Sequence, residues 1–222
     1  MRPSIKYYVL YVVLCLAHLI PWQGVPPYFH SVTKALPILM LLVLTLSGPG
    51  ERHDKWMPVA LVFSLCGDIV SEIGALGQLS FILQILSFLF AQIAYTLAFR
   101  KYCTHVNDGY MGLRTALGLF LVIELSTVAF LSVKGILERN MGIPLLLAAL
   151  AYVLCIGTMV YTSVSQRRSG YVLFAVGAVL FLISDSLIAI NAFVIPIPAR
   201  ALAVMSTYYA AQLLLNHKVF EN

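Results

Sequence analysis

Eight long apolar runs fill this chain, and the breaks between them are too short to hold anything but turns. They lie at about 5–21, 31–47, 56–74, 79–99, 113–132, 142–161, 170–194 and 199–216. A helix needs roughly 20 apolar residues to cross a bilayer, and only structures that satisfy their own backbone hydrogen bonds survive there. The expected fold is therefore all-α: a polytopic transmembrane helical bundle of eight spans, one domain over residues 1–222. Pro21, Pro26-Pro27, Ser47-Gly48-Pro49-Gly50, Arg100-Lys101, Arg167-Arg168 and the pair Pro196 and Pro198 punctuate the runs. The weakest break, 75–78, is marked only by Gly74 and Gly77, but a turn is required because 56–99 is too long for one crossing. The first run ends in His18-Leu19-Ile20-Pro21 with no small-x-small pattern, so it reads as a retained span.

Charge is scarce and unevenly placed. Only 10% of the 222 residues are charged, against about 25% in soluble domains, and the mean hydropathy is +0.92. With the N-terminus placed in the cytoplasm, ten basic residues fall inside: Arg2, Lys6, Arg52, Lys55, Arg100, Lys101, Arg114, Arg167, Arg168 and Lys218. Four fall outside: Lys34, Lys134, Arg139 and Arg200. This bias predicts cytoplasmic termini and an even number of spans. It also explains the formal net charge of +5 without a nucleic-acid partner. Cys15, Cys66, Cys103 and Cys155 make no CxxC pair and read as small core residues. No metal or cofactor signature is present, and no serine-hydrolase motif.

Four acids interrupt the apolar runs: Asp68, Glu72, Glu124 and Asp185. An ionisable group at membrane depth is a functional candidate by default. On this topology Asp68 lies ~9 Å, and Asp185 roughly 10–15 Å, below the outer ends of their spans. Lys34 and Arg200 start the second and eighth spans near that level. Two readings follow. The aspartates could pair with Lys34 and Arg200 to hold helices in register. Alternatively, two carboxyl groups facing one cavity could divide into an acid and a base from a single residue type. Glu72 reads as a solvated or snorkelling residue. Glu124, beside Ser126 and Thr127, reads as a support for the site or a structural bond. The stripe Ser80, Gln84, Ser87, Ala91 and Gln92 suits helix packing. Tyr208 and Tyr209 suit packing or donation to a ligand, and His18 and His217 read as interface residues. A parallel four-plus-four repeat is faintly visible, with Gly67-Asp68 and Ala91-Gln92 matched by Ser184-Asp185 and Ala211-Gln212.

The C-terminal stretch Ile183-Ser184-Asp185-Ser186-Leu187-Ile188-Ala189-Ile190-Asn191, followed by Pro196-Ile197-Pro198-Ala199-Arg200-Ala201-Leu202 and Met205-Ser206-Thr207-Tyr208-Tyr209-Ala210-Ala211-Gln212, closely resembles the end of the lysoplasmalogenases, the YhhN-like membrane proteins. Gly67-Asp68 and Lys34-Ala35-Leu36-Pro37 look like two shorter motifs of that family. The resemblance runs over nearly the whole chain. It implies an alkenyl ether hydrolase that cleaves the vinyl-ether bond of lysoplasmalogens to a fatty aldehyde and glycerophosphoethanolamine or glycerophosphocholine. Asp68 and Asp185 would be catalytic, Lys34 and Arg200 would hold the phosphate, and Gln92, Asn191 and Tyr208 would orient headgroup or water. The expected partners are a lysophospholipid substrate and membrane lipids, with no cofactor, metal or nucleic acid. The location would be the endoplasmic reticulum membrane in a eukaryote or the inner membrane in a bacterium. Where the family often has Phe-x-x-x-His-x-x-Tyr, this chain has Phe88-Leu89-Phe90-Ala91-Gln92-Ile93-Ala94-Tyr95, and Gln92 cannot titrate. The alternatives are a proton-coupled transporter and a catalytically inactive lipid-binding relative.

Overall fold

The computed structural model describes residues 5–20, 24–47, 55–73, 77–103, 111–166 and 170–220, without the side chains at 27, 111–117, 119 and 120. Among the described residues, eight α-helices follow the eight apolar runs: α1 (Ile5–Leu19), α2 (Pro27–Ser47), α3 (Trp56–Ser71), α4 (Gln78–Arg100), α5 (Met111–Glu138), α6 (Ile143–Val164), α7 (Tyr171–Phe193) and α8 (Arg200–Leu215). A 3₁₀ turn, His217–Phe220, follows α8. Among the described residues the only strand-like feature is a single bridge between Cys103 and Gln166.

Segments Tyr28–Ser47, Gln78–Arg100, Ile143–Val164 and Tyr171–Phe193 are long and apolar enough to cross a membrane, whereas α1 and α3 are apolar but shorter. Val9, Val122, Phe130, Leu154 and Leu202 each expose about half or more of their surface on the outside of the bundle. Lipid tails can cover such a surface and water cannot do so cheaply. The chain is an integral membrane protein. Arg2, Arg52, Arg167 and Arg168, and the Arg114 side chain, which carried half of the inside charge count, lie outside the described residues. Gly74 does as well. Gly77 is described, and its φ of +52° turns the chain into α4.

Seven helices form a closed ring in the order α1, α2, α3, α4, α6, α7, α8, and α5 packs outside it against α6 and α7. The closest neighbours are the hairpins α3/α4 and α7/α8. Helices α4 and α7 stand on opposite sides of the interior, joined by the edge-to-face ring pairs Phe88–Phe181 and Phe81–Phe193. Glycine permits two close approaches. A Cβ on Gly67 would lie 2.9 Å from the Phe88 ring, and one on Gly135 would overlap the carbonyl oxygen of Phe193.

Polar side chains stitch the ring. The Tyr11 hydroxyl donates to the Tyr209 carbonyl, and the Tyr209 hydroxyl donates to the Lys34 carbonyl, tying α1, α8 and α2 together. Deeper in the bundle, Tyr95 donates to Gln212 Oε1 at 2.7 Å, and Gln212 Nε2 donates to Ser64 Oγ at 3.1 Å. Asn216 Nδ2 donates to the Tyr95 hydroxyl. All four of these side chains are buried, so each bond replaces one that water cannot supply.

Three expectations change. His217 is 3% exposed, with its ring tilted against that of Phe174 at 4.4 Å between centroids, so it is a core residue and not an interface one. The turn after α8 folds back into the ring and takes it inside. Cys66 is exposed on the outer face of α3 and is not in the core. Residue type alone could not place it, because lipid suits a thiol as well as protein does. Glu72 is not merely solvated but forms an ion pair with Lys34. Because Gly135 seats α5 against α7, Gly135→Ala should destabilise the protein by about 1–3 kcal/mol through overpacking. Thermal unfolding in detergent checks this, and an unchanged midpoint would contradict the close α5–α7 contact.

Candidate functional site

A cavity of about 370 Å³ occupies the middle of the ring and opens at the end that carries Gly77 and Arg200. Asp68 and Asp185 both line it, with Lys34, Arg200, Tyr208 and His18. Five of the seven site residues singled out from sequence, Lys34, Asp68, Asp185, Arg200 and Tyr208, thus meet here, because the α3/α4 and α7/α8 hairpins face each other.

Asp68 sits in the last turn of α3 and is 2% exposed. The helix ends at Ser71, earlier than the hydropathy run, because Glu72 and Ile73 N–H groups bond back three residues. Ser71 Oγ also bonds back to the Asp68 carbonyl. The Tyr208 hydroxyl donates to Asp68 Oδ2 at 2.8 Å. Its ring is held edge-on by Phe88 and Phe181, whose centroids lie 5.8 and 5.7 Å away. Gly67 lets Phe88 come this close, so the glycine before the aspartate shapes the wall beside it.

Asp185 is in α7, eight residues before its end and half-buried. Two donors converge on a single oxygen, Oδ2: the Tyr152 hydroxyl at 2.6 Å and Gln92 Nε2 at 3.2 Å. Gln92 is fully buried, does not line the cavity, and acts on it through Asp185. Its Oε1 has no hydrogen-bond partner. Tyr152 was not singled out from the sequence. The available signal was the only hydroxyl between 143 and 157, in an otherwise apolar stretch of α6, which must find a partner when buried.

The basic residues are not paired with the aspartates. Lys34 Nζ donates to Ser71 Oγ at 2.5 Å and to Glu72 Oε1 at 2.9 Å. Arg200, exposed at the start of α8, makes no ion pair among the described residues. The register-holding reading of the aspartates therefore has no support in this arrangement. Asn191 does not line the cavity. Its Oδ1 accepts the Ile197 N–H at 3.0 Å and braces the turn that ends in Ala199, a non-glycine residue at φ +52°. That turn aims Arg200 at the cavity mouth, so Asn191 touches the site only through the backbone. Glu124 reaches across to α7, where Ser186 Oγ donates to its Oε1 at 2.5 Å. Its sequence neighbour Thr127 instead bonds its own helix at Ile123. Of the polar stripe on α4, Ser80 and Gln84 line the cavity, so the stripe serves it as well as packing. His18 lines it too, with Nδ1 3.1 Å from Thr33 Oγ1. Among the described residues no group of three or more His, Cys, Asp or Glu side chains is placed to hold a metal.

An all-helical membrane protein with two carboxyl groups on one internal polar cavity is the class that fold and site define. Comparison narrows it: the YhhN family model matches residues 29–219, and the chain belongs to that family. Among curated relatives, lysoplasmalogenase TMEM86B of Sus scrofa is 29% identical over 94% of this chain and 84% of its own length. The TMEM86B lysoplasmalogenase of Rattus norvegicus is 32% identical over 92% of this chain and 80% of its own length. That of Homo sapiens is 29% identical over 96% of this chain and 87% of its own length. No solved structure matches the chain.

Tyr208→Phe keeps the aromatic cluster and removes only the donor to Asp68. It should lower stability by about 0.6–1.7 kcal/mol, the range of hydrogen bonds inside membrane bundles. Unfolding in detergent measures it, and a stabilised variant would contradict the bond.

Proposed function

We propose that the protein hydrolyses the vinyl-ether bond of a lysoplasmalogen, releasing a fatty aldehyde and glycerophosphoethanolamine or glycerophosphocholine. The observation that carries this reading is the pair Asp68 and Asp185 on one cavity that also presents Lys34 and Arg200. The relatives named lysoplasmalogenases support the same reaction class.

The chemistry needs one acid and one base. Asp68 and Asp185 share these roles. The acid delivers a proton to the β-carbon of the vinyl ether, and the double-bond electrons follow to leave an oxocarbenium ion. The second carboxylate takes a proton from water as the water oxygen bonds to the cationic carbon. The resulting hemiacetal then collapses. Its C–O bond to glycerol breaks, the glycerol oxygen receives the proton held by the base, and the hemiacetal hydroxyl returns a proton to the first aspartate. One water is consumed and both carboxyl groups are restored. The division of labour follows the acid and base pair of glycosidases.

Arg200 and Lys34 hold the phosphate, the first as a planar fork and the second as a point charge. Tyr208 and Gln92 orient the two carboxyl groups that they touch. Asn191 supports the headgroup end through the turn before Arg200. We further propose one domain over 1–222 with eight spans, cytoplasmic termini, and the site nearer the opposite face. The α3/α4 and α7/α8 hairpins, each carrying an aspartate and a glutamine, support the four-plus-four repeat. The membrane would be the endoplasmic reticulum in a eukaryote or the inner membrane in a bacterium.

Asp68→Asn and Asp185→Asn should each abolish aldehyde release from a lysoplasmenyl lipid in detergent while the protein stays folded. Retained turnover in either variant would remove that aspartate from the chemistry. Arg200→Gln should raise KM about 10–100-fold, the equivalent of one or two hydrogen bonds to a charged group, with a smaller change in kcat. A KM unchanged in steady-state assays would move the phosphate elsewhere.

A further inference from the structure

A second cavity adjoins the first. It is a narrow slot between α4, α5, α6 and α7, smaller than the polar chamber (about 80 Å³ against about 370 Å³). Its walls are apolar, among them Leu125, Val128, Val133, Val153 and Ala189. The two cavities share Phe81, Gln84, Phe88, Asp185 and Ile188, so they meet in the gap between α4 and α7. Asp185 stands at that junction. From Asp185 the slot runs along α7 to Phe193, a rise of ~12 Å at 1.5 Å per residue. The edge-to-face pair of Phe81 and Phe193 stands at that end. Leu150 lines the slot and is 41% exposed, so the slot opens between α5 and α6 toward the lipid-facing surface.

We infer that this slot binds the single hydrocarbon chain of the lipid, entering sideways from the bilayer past Leu150, while the phosphate end occupies the polar chamber. The inference rests on the proposed reaction and adds to it where the bond lies. A bond joining a hydrocarbon chain to a polar glycerol must sit where an apolar slot meets a polar chamber, and Asp185 is the carboxyl group at that boundary. Asp68, which lines only the chamber, faces the bond from the glycerol side. Specificity for one chain follows as well. The slot is too narrow for two chains, and Asp68, Lys34, Glu72 and Arg200 among the walls of the chamber would lose hydration against a second acyl chain.

The test uses the full-length protein in detergent and an alkyl-ether lysophosphatidylcholine, which has no vinyl-ether bond and so reports binding alone. With a diazirine near the middle of the chain, a position the ~12 Å slot can hold, photolysis should label α5 and α6 around Val128–Val133 and Ala149–Val153. Labelling confined to α2, α8 or the outer surface of α1 would overturn the proposal. Ala149→Trp and Ala189→Trp, which fill the slot, should weaken binding of a sixteen-carbon chain at least tenfold and leave glycerophosphocholine binding within twofold. Equal losses for both ligands would also overturn it. The labelling experiment uses the wild-type chain, so it decides the matter even if a tryptophan variant fails to fold. Labelling in the slot without turnover of a lysoplasmenyl lipid would reject the hydrolase reading and leave the chain site standing. Turnover with labelling elsewhere would do the reverse.

Discussion

Two carboxyl groups inside an apolar bundle must be met by donors from the protein, because lipid offers none. Much of the interior is arranged around that demand. Tyr208 reaches Asp68 from α8, and Tyr152 and Gln92 reach Asp185 from α6 and α4. These bonds cross the ring at its middle, where α4 and α7 stand apart and leave room for a cavity. The aromatic triangle of Phe88, Phe181 and Tyr208 then holds one donor in place. Beneath it, Ser64, Gln212, Tyr95 and Asn216 form a second polar layer one turn further along α3 and α8. The layer that holds the two carboxyl groups is thus carried on a second polar layer.

The two aspartates are supported differently. Asp68 is nearly inaccessible and has one donor on Oδ2. Asp185 is half-buried and has two donors on one oxygen. That leaves its other oxygen without a side-chain bond, at the boundary between a polar chamber and an apolar slot. The basic residues divide in the same way. Lys34 is already neutralised by Glu72, while Arg200 stands at the mouth with no acidic partner among the described residues. An anionic headgroup would therefore meet Arg200 first.

Gln92 shows how far a motif can be read. In sequence it is a departure from a family pattern and a loss of a titrating group. In the fold it is a fully buried donor to Asp185, with its own Oε1 unpartnered. A donor is what the carboxylate requires of that position, and an amide supplies one without titrating. Asn191 shows the opposite. Its place in a long specific motif suggested contact with substrate, yet its side chain braces a backbone turn. The motif there preserves the aim of Arg200, not a contact of its own.

Hydropathy along the chain was enough to locate eight helices, to within a few residues at most ends, and to mark Asp68 and Asp185 as costly residues that need a reason. Backbone hydrogen bonding is local, so a run of apolar residues settles a helix by itself. Which helices face each other is not local. No periodicity within α2 could say that Lys34 would choose Glu72, and none within α6 could say that Tyr152 would point at Asp185. Those pairings depend on the rotation of each helix about its own axis, which is set by how its neighbours pack: by Gly67 under Phe88, Gly135 under Phe193, and α5 lying outside the ring. The sequence therefore determined the helices and the pair of acids within them. Only the tertiary structure decided their partners and placed Asp185 where the polar chamber meets the apolar slot, because each side chain's direction is fixed by contacts between helices distant in sequence.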